Sequence, residues 1–395
     1  MNVRATIMHP HPAAALPRFA TMESLIGAMR PVDPVYALYP EKFRSARRRF
    51  ADFSGDMLYA VKANPAPPVL DLVYAAGTWH FDTASLSEIE LVRGRYPDAV
   101  CHFMAPVRLP GSARIAFEDH AIRDFVVDCD FELDKLLAET GGGRDCRIFV
   151  RLATRPGGAA FDLSGKFGTT PEEAGALLRR IDRAGAAPAL TFHVGSQCLN
   201  PISYARAIEL VRRTVSLAGV EIAALDIGGG FPAPYPGQDL LPYPDFFAAI
   251  REALATVPNA GSLSLLCEPG RALCAEGVSL VAQVVLRKGD KIYLNDGIYG
   301  SFDELTLPGS TTDYRTSVHA LDTNGHAALK SSLRSAFRIY GPTCDTLDVL
   351  PRPFLLPDTV VPGDYIVFES IGAYSCAVRT NFNGFCPDRF AIVGE

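Results

Sequence analysis

From residue 58 onward the chain alternates short apolar runs with longer amphipathic stretches. The apolar runs are LYAVKA (58–63), WHFDTA (79–84), VCHFMAP (100–106), DFVVDC (124–129), RIFVRLA (147–153), LTFHVGS (190–196), ALDIGG (224–229) and SLLCEPG (264–270). Runs this short and this apolar read as strands covered on both faces. The stretches between them carry helix signals. Thr170-Pro171-Glu172-Glu173 offers a capping residue, a proline at the first helical position and acids in the first turn. Asn200-Pro201 opens ISYARAIELVRRTVSLAG (202–219), where Gly219 suits a helix end. Ser85 to Glu90 starts another helix. Eight strands alternating with helices predict a parallel α/β barrel of the (β/α)8 kind, with a doubly wound open sheet as runner-up.

The pattern changes after Cys274. VSLVAQVVLRKGDKIYLND (278–296) and DTVVPGDYIVFES (358–370) are strand-rich with Gly-Asp turns. Three parts are therefore expected: a barrel over 36–274, a β domain over 275–395, and residues 1–35 appended to the β domain. The first part of the chain shows one short helix pattern, MESLIGAMR, and the strand VYALYP begins at Val35.

Composition removes several function classes. A net charge of −6 gives no pull toward nucleic acid or anionic membrane. The basic run Arg44 to Arg49 sits among Phe43, Phe50 and Phe53, as on the wet face of an amphipathic helix. Nine scattered cysteines without a C-x-x-C pair point to thiols in a reducing cytoplasm. The eight histidines lack metal-ligand spacing, so no metal is expected, and His9 and His11 are read as incidental. No run reaches membrane-spanning length, and prolines interrupt the leader where a secretory signal needs an apolar core.

In a barrel, functional groups gather where strands end. Lys62, Asp82, Arg151, His193 with Ser196, Asp226, and Glu268 with Arg271 all sit at such ends. DIGGGFP (226–232) places Gly228, Gly229 and Gly230 after the seventh strand, where a backbone free of side chains can approach an anion. EPGR (268–271) follows the eighth strand with Gly270 and Arg271. The loops after strands seven and eight are the usual phosphate site of this fold. A reactive lysine, a phosphate cradle and a strand-end carboxylate together suggest pyridoxal 5'-phosphate.

These residues resemble the fold-type III pyridoxal-phosphate enzymes of the alanine racemase-like fold. Within that fold they are most similar to the ornithine, lysine and diaminopimelate decarboxylase group, and nearest to the ornithine type. The matching stretches, from about Val35 to Phe385, are YAVKAN, FDTAS with Glu88, HVGSQ, DIGGGFP, CEPGR, NDGIYGSF (295–302), GPTCDTLD (341–348), GAYS (372–375) and FNGF (382–385). The resemblance implies roles. Lys62 is the Schiff-base lysine, with Asp82 and Glu88 as its hydrogen-bonded neighbours and Arg151 near the cofactor. His193 stacks on the cofactor ring, and Glu268 faces its nitrogen. Ser196, Gly229, Gly230, Gly270, Arg271 and Tyr374 surround the phosphate. Cys344 returns a proton to the carbon that has lost carbon dioxide. Asp345 holds the substrate's distal amine, with Tyr299, Phe382 and Asp303 beside it. Cys344 and Asp345 then enter from a second subunit, so a homodimer is implied.

One departure stands out. Relatives of the ornithine type continue after NDGIYGSF to a Tyr-Asp pair that helps to hold the distal amine. Here Leu307 and Pro308 occupy that place, within DELTLPGS (303–310), and Asp303 or Glu304 is the available substitute. The expected reaction is decarboxylation of L-ornithine to putrescine, or of L-lysine to cadaverine. The alternatives are diaminopimelate decarboxylation, amino-acid racemisation, and an inactive regulatory homologue.

Overall fold

A computed structural model describes residues 16–154, 159–161, 165–307, 310, 312–322 and 327–394. His9, His11 and Pro308 lie outside the described residues. The barrel strands are β1 (Asp56–Ala60), β2 (His80–Thr83), β3 (Val100–Phe103), β4 (Asp124–Val127), β5 (Arg147–Leu152), β6 (Ala187–Phe192), β7 (Ala224–Asp226) and β8 (Ser264–Cys267). They are parallel and close in sequence order, β8 returning to β1 with Leu266 beside Asp56 and Cys267 beside Met57. Closure rules out the open doubly wound sheet.

Strand side chains alternate between the two faces, and this alternation stacks the barrel interior in layers. Outward residues such as Tyr59, Phe81, Phe103 and Ile148 pack in the core beneath the helices. A middle layer of inward residues is apolar: Leu58, Met104, Val126, Phe149, Ala189, Ala224 and Leu266. Two residues further along the same strands come Ala60, Arg151, Thr191, Asp226 and Glu268. Of the polar groups picked out at strand ends, Arg151, Asp226 and Glu268 are thus inward residues of the upper layer. The expected helices begin as their sequences require: Thr170 and Glu173 form a reciprocal capping box, and Gly185 ends that helix in the left-handed region.

The lower layer is a polar chain that the sequence did not announce. His80 Nδ1 lies 3.0 Å from His102 Nε2, and His102 Nδ1 lies 2.6 Å from Asp124 Oδ2. Arg147 grips the same carboxylate at 2.9 and 2.6 Å. Burial, then the neighbouring His102, pushes the His80 pKa below its ordinary value. The folded state therefore resists a proton that the unfolded chain accepts near pH 6.5. Stability tied to His80 is present at neutral pH and lost as pH falls through that range. The melting temperature of the wild type is expected to drop more than that of His80→Gln between about pH 7.5 and about pH 5.5, as thermal melts at both pH values will report. Parallel shifts in the two proteins would remove His80 from that account.

Beyond the barrel, the long strand β9 (Val278–Lys288) organises a ten-stranded sheet. It pairs antiparallel with Val35–Leu38, with Tyr365–Phe368 and with β10 (Lys291–Leu294). Val35–Leu38 also pairs with Arg389–Val393, so both ends of the described chain join this sheet. Among the described residues no helix is long and apolar enough to cross a membrane.

Candidate active site

LYAVKA does not stay a strand to its end. β1 stops at Ala60, and Val61–Ala63 forms a 3-10 turn that carries Lys62. Asn64 enforces the turn. Its backbone N–H donates to Val61 O, and its buried side chain donates to Gly372 O at 2.7 Å while accepting from Ala66 N. Tyr374 N donates to Ala63 O at 2.9 Å. The GAYS loop of the second sheet is therefore stitched onto the lysine turn.

Lys62 Nζ sits 2.8 Å from Asp82 Oδ2. Its side chain is 43% exposed in the open barrel mouth, whereas that of Asp82 is 3% exposed. Burial opposes the ammonium form, but the hydrogen-bonded Asp82 carboxylate outweighs it and holds the lysine pKa above its ordinary value. Glu88 accepts from Ala84 N at 2.7 Å, and burial pushes its pKa up. His193 accepts a hydrogen bond from Gly195 N at Nδ1, 3.0 Å away. Burial, then the charges of Arg151 and Lys62, push the His193 pKa well down. The ring is neutral, with its proton placed on Nε2 by that bond.

Glu268 and Asp226 form a hydrogen-bonded acid pair. Burial raises both pKa values; Asp226 then opposes ionisation of Glu268, whereas the hydrogen bond from Glu268 favours the ionised form of Asp226. Asp226 also receives Gly228 N at 2.9 Å and Thr191 Oγ1 at 2.8 Å. Its charge is better supported, so Glu268 carries the proton.

The glycines form a close floor. A Cβ on Gly229 would meet Glu268 O at 2.7 Å and His193 Nε2 at 3.0 Å; one on Gly230, at φ +99°, would meet Gly195 O at 2.5 Å. Arg271 stands beside this floor. It donates to Ser196 Oγ from Nε at 3.4 Å and from Nη2 at 3.2 Å, to Tyr235 Oη at 3.0 Å and to both Glu304 oxygens. Its guanidinium lies 5.0 Å from the centre of the Tyr374 ring. Removing one partner of a pair buried this deeply costs about 3–5 kcal/mol.

Comparison with known proteins shows the family. Residues 38–275 match the family model described as pyridoxal-dependent decarboxylase, pyridoxal binding domain. The chain belongs to this family. It is a pyridoxal-phosphate-dependent amino-acid decarboxylase of fold type III, similar to a lysine/ornithine decarboxylase of Selenomonas ruminantium. The two are 35% identical over 83% of this chain and 81% of that protein. An antizyme inhibitor 2 of Xenopus laevis is 30% identical over 83% of this chain and 73% of its own length. The crystal structure of a Vibrio vulnificus lysine/ornithine decarboxylase complexed with cadaverine superposes with a TM-score of 0.79. It is 30% identical and covers 95% of this chain and all of its own.

The residues present fit the family's cofactor. Ala60, Lys62, His193, Ser196, Gly229, Gly230, Glu268, Gly270, Arg271 and Tyr374 line one pocket at the barrel mouth. Buried Arg151 Nε has no hydrogen-bond partner among the described residues, and its guanidinium lies 5.3 Å from the Phe167 ring centre.

The residues read as substrate-binding collect elsewhere. Tyr299 Oη donates to Asp345 Oδ2, the Tyr299 and Phe382 rings are 4.8 Å apart, and Cys344 N donates to Asn383 Oδ1 at 3.1 Å. Cys344 and Asp345 line a large cavity on the second domain that shares no lining residue with the lysine pocket. Tyr299 is fixed because NDGIYGSF is pinned from within. A Cβ on Gly300 would meet Asp296 Oδ1 at 1.9 Å, and Ser301 bonds both Asp296 and Tyr36. Asp303 is half-buried and its pKa is raised by burial. Glu304, the other candidate for the missing acid, is occupied by Arg271. Tyr235 and the Glu304–Arg271 pair had no sequence signal, since an acid in a loop ordinarily faces water.

Proposed function

We propose that this enzyme decarboxylates an L-amino acid with a basic side chain, L-ornithine first and L-lysine second, and releases the diamine putrescine or cadaverine. The observation that carries the substrate class is Asp345. The backbone N–H of Leu347, then Tyr299 Oη, hold its pKa below the ordinary carboxylate value. It is thus a fixed anion bonded to Tyr299, whose ring packs against Phe382, and is suited to a distal ammonium. Asp303 is a weaker counter-charge because burial favours its neutral form.

Pyridoxal phosphate, when bound, supplies an electron sink for the pair released as the carboxylate leaves. The chain's own groups do the rest. Asp82 is placed to take the proton that Lys62 must lose before its nitrogen can bond to a carbonyl carbon. His193, neutral and backed by the Gly229 floor, presents a flat face. Glu268 holds a proton at its carboxyl and can deliver it to a basic nitrogen set against it. Arg271 and Ser196 offer donors to a phosphate. Cys344 is the thiol to return a proton to carbon. Its exposure, and the separation of its cavity from the lysine pocket, support a homodimer in which a second copy completes each site. Nine unpaired cysteines suit a reducing cytoplasm.

The test is carbon dioxide release from purified protein given L-ornithine, L-lysine and meso-diaminopimelate in turn. Gas from the first two, with stoichiometric diamine, is the expected result. Racemisation without gas would overturn the reading, and inertness toward all three would favour a regulatory protein. Cys344→Ala is expected to keep the cofactor but raise the share of by-products over diamine, read by chromatography of the reaction mixture. An unchanged ratio would remove Cys344 from the proton-return role.

A further inference from the structure

The buried pair between Arg271 and Glu304 joins the barrel to the second domain. Arg271 opens the short helix Arg271–Cys274 after β8, and Glu304 lies on the 3-10 turn Asp303–Thr306 beyond β10. The side chains are 3% and 2% exposed. The geometry of the fork is specific. Glu304 takes Nη1 and Nη2, the end of the guanidinium away from the chain. Tyr235 Oη also takes Nη1. The remaining edge, Nε with Nη2, faces Ser196 Oγ and the glycine floor. A planar guanidinium held at one end has only one other edge with two donors.

We propose that Glu304 is a positioning residue for the cofactor's phosphate: it fixes Arg271 from behind, so that the Nε–Nη2 edge is presented to the phosphate group. The inference rests on the functional reading above, in which this pocket holds pyridoxal phosphate. Glu304 contacts neither substrate nor cofactor; it acts through Arg271. Its effect is confined to ligands that carry the phosphate, because the pyridine ring and aldehyde meet Glu268, His193 and Lys62 instead.

The experiment compares binding of pyridoxal phosphate and of pyridoxal, which lacks the phosphate, to wild-type full-length protein and to Glu304→Gln. Both are read by absorbance titration. The expected result is an affinity for pyridoxal phosphate weakened about tenfold or more in Glu304→Gln, with pyridoxal affinity unchanged within about twofold. Glu304→Asp keeps the charge at shorter reach and is expected to recover part of the loss. If Glu304→Gln does not fold, as its apo melting curve will report, the same preference for the phosphorylated ligand is measured on Glu304→Asp, where an unaltered preference overturns the proposal. Equal weakening toward both ligands would mark a purely structural role and overturn it, as would tighter binding of pyridoxal phosphate. Wild-type protein that binds neither ligand would instead overturn the functional reading on which the proposal stands.

Discussion

Replacing Lys62 with alanine is expected to lower carbon dioxide release by about 10³-fold or more, the scale set by losing a nucleophile that also helps to move protons. Among the described residues no other lysine lines the pocket. The substitution has a second cost. Asp82 is buried and would lose its cation, so Lys62→Ala is also expected to melt earlier. Lys62→Arg separates the two effects: it keeps a cation for Asp82 but cannot bond to a carbonyl carbon. Its melting temperature should stay near that of the wild type, while borohydride reduction and peptide mass spectrometry find no cofactor mass on residue 62. Turnover by Lys62→Arg within about tenfold of wild type would refute the assignment.

Glu268→Gln is expected to have the second-largest effect. A carboxylate against a pyridine nitrogen favours the protonated ring by about 1–3 pKa units, or about 1.4–4 kcal/mol. The amide fills the same space and still donates a hydrogen bond, but it cannot give up its proton. A kcat reduced by about 10- to 10³-fold, with little change in cofactor affinity, is the expected outcome. The paired acid sharpens the test. Burial and Asp226 keep Glu268 protonated in the free site, so Asp226→Asn, which removes its closest like-charged neighbour, should let Glu268 ionise at lower pH. Steady-state kinetics across pH check both variants. A kcat for Glu268→Gln within about twofold of wild type would eliminate the proton-delivery role.

Much of the site was legible because a closed barrel turns strand parity into geometry. Phe149 and Arg151, Leu266 and Glu268, and Ala189 with Thr191 are two residues apart. Once the middle layer is apolar, the next inward residue must sit at the mouth. The glycine run was legible for a similar reason, since no Cβ fits between His193 and the backbone of Glu268. Other features depend on contacts distant in sequence. Lys62 leaves its strand because Asn64 bonds to Gly372, some 300 residues later. The protonation of Glu268 follows from Asp226 across the barrel. Glu304, a candidate substitute for the missing acid, is engaged instead by a cation that its own stretch of sequence does not supply; its partner, Arg271, is 33 residues earlier. The His80–His102–Asp124–Arg147 chain lies at the opposite end from the mouth, where strand-end reasoning does not look.

The stitching around Asn64 has a consequence for how this molecule behaves as a machine. Gly372 N donates to Ala275 O and Ile371 N to Val278 O, while the helix bearing Arg271 passes within three residues into β9. The two lobes share one spine and leave no slack for a swinging hinge. On heating, the lobes should lose structure together, as a single calorimetric peak.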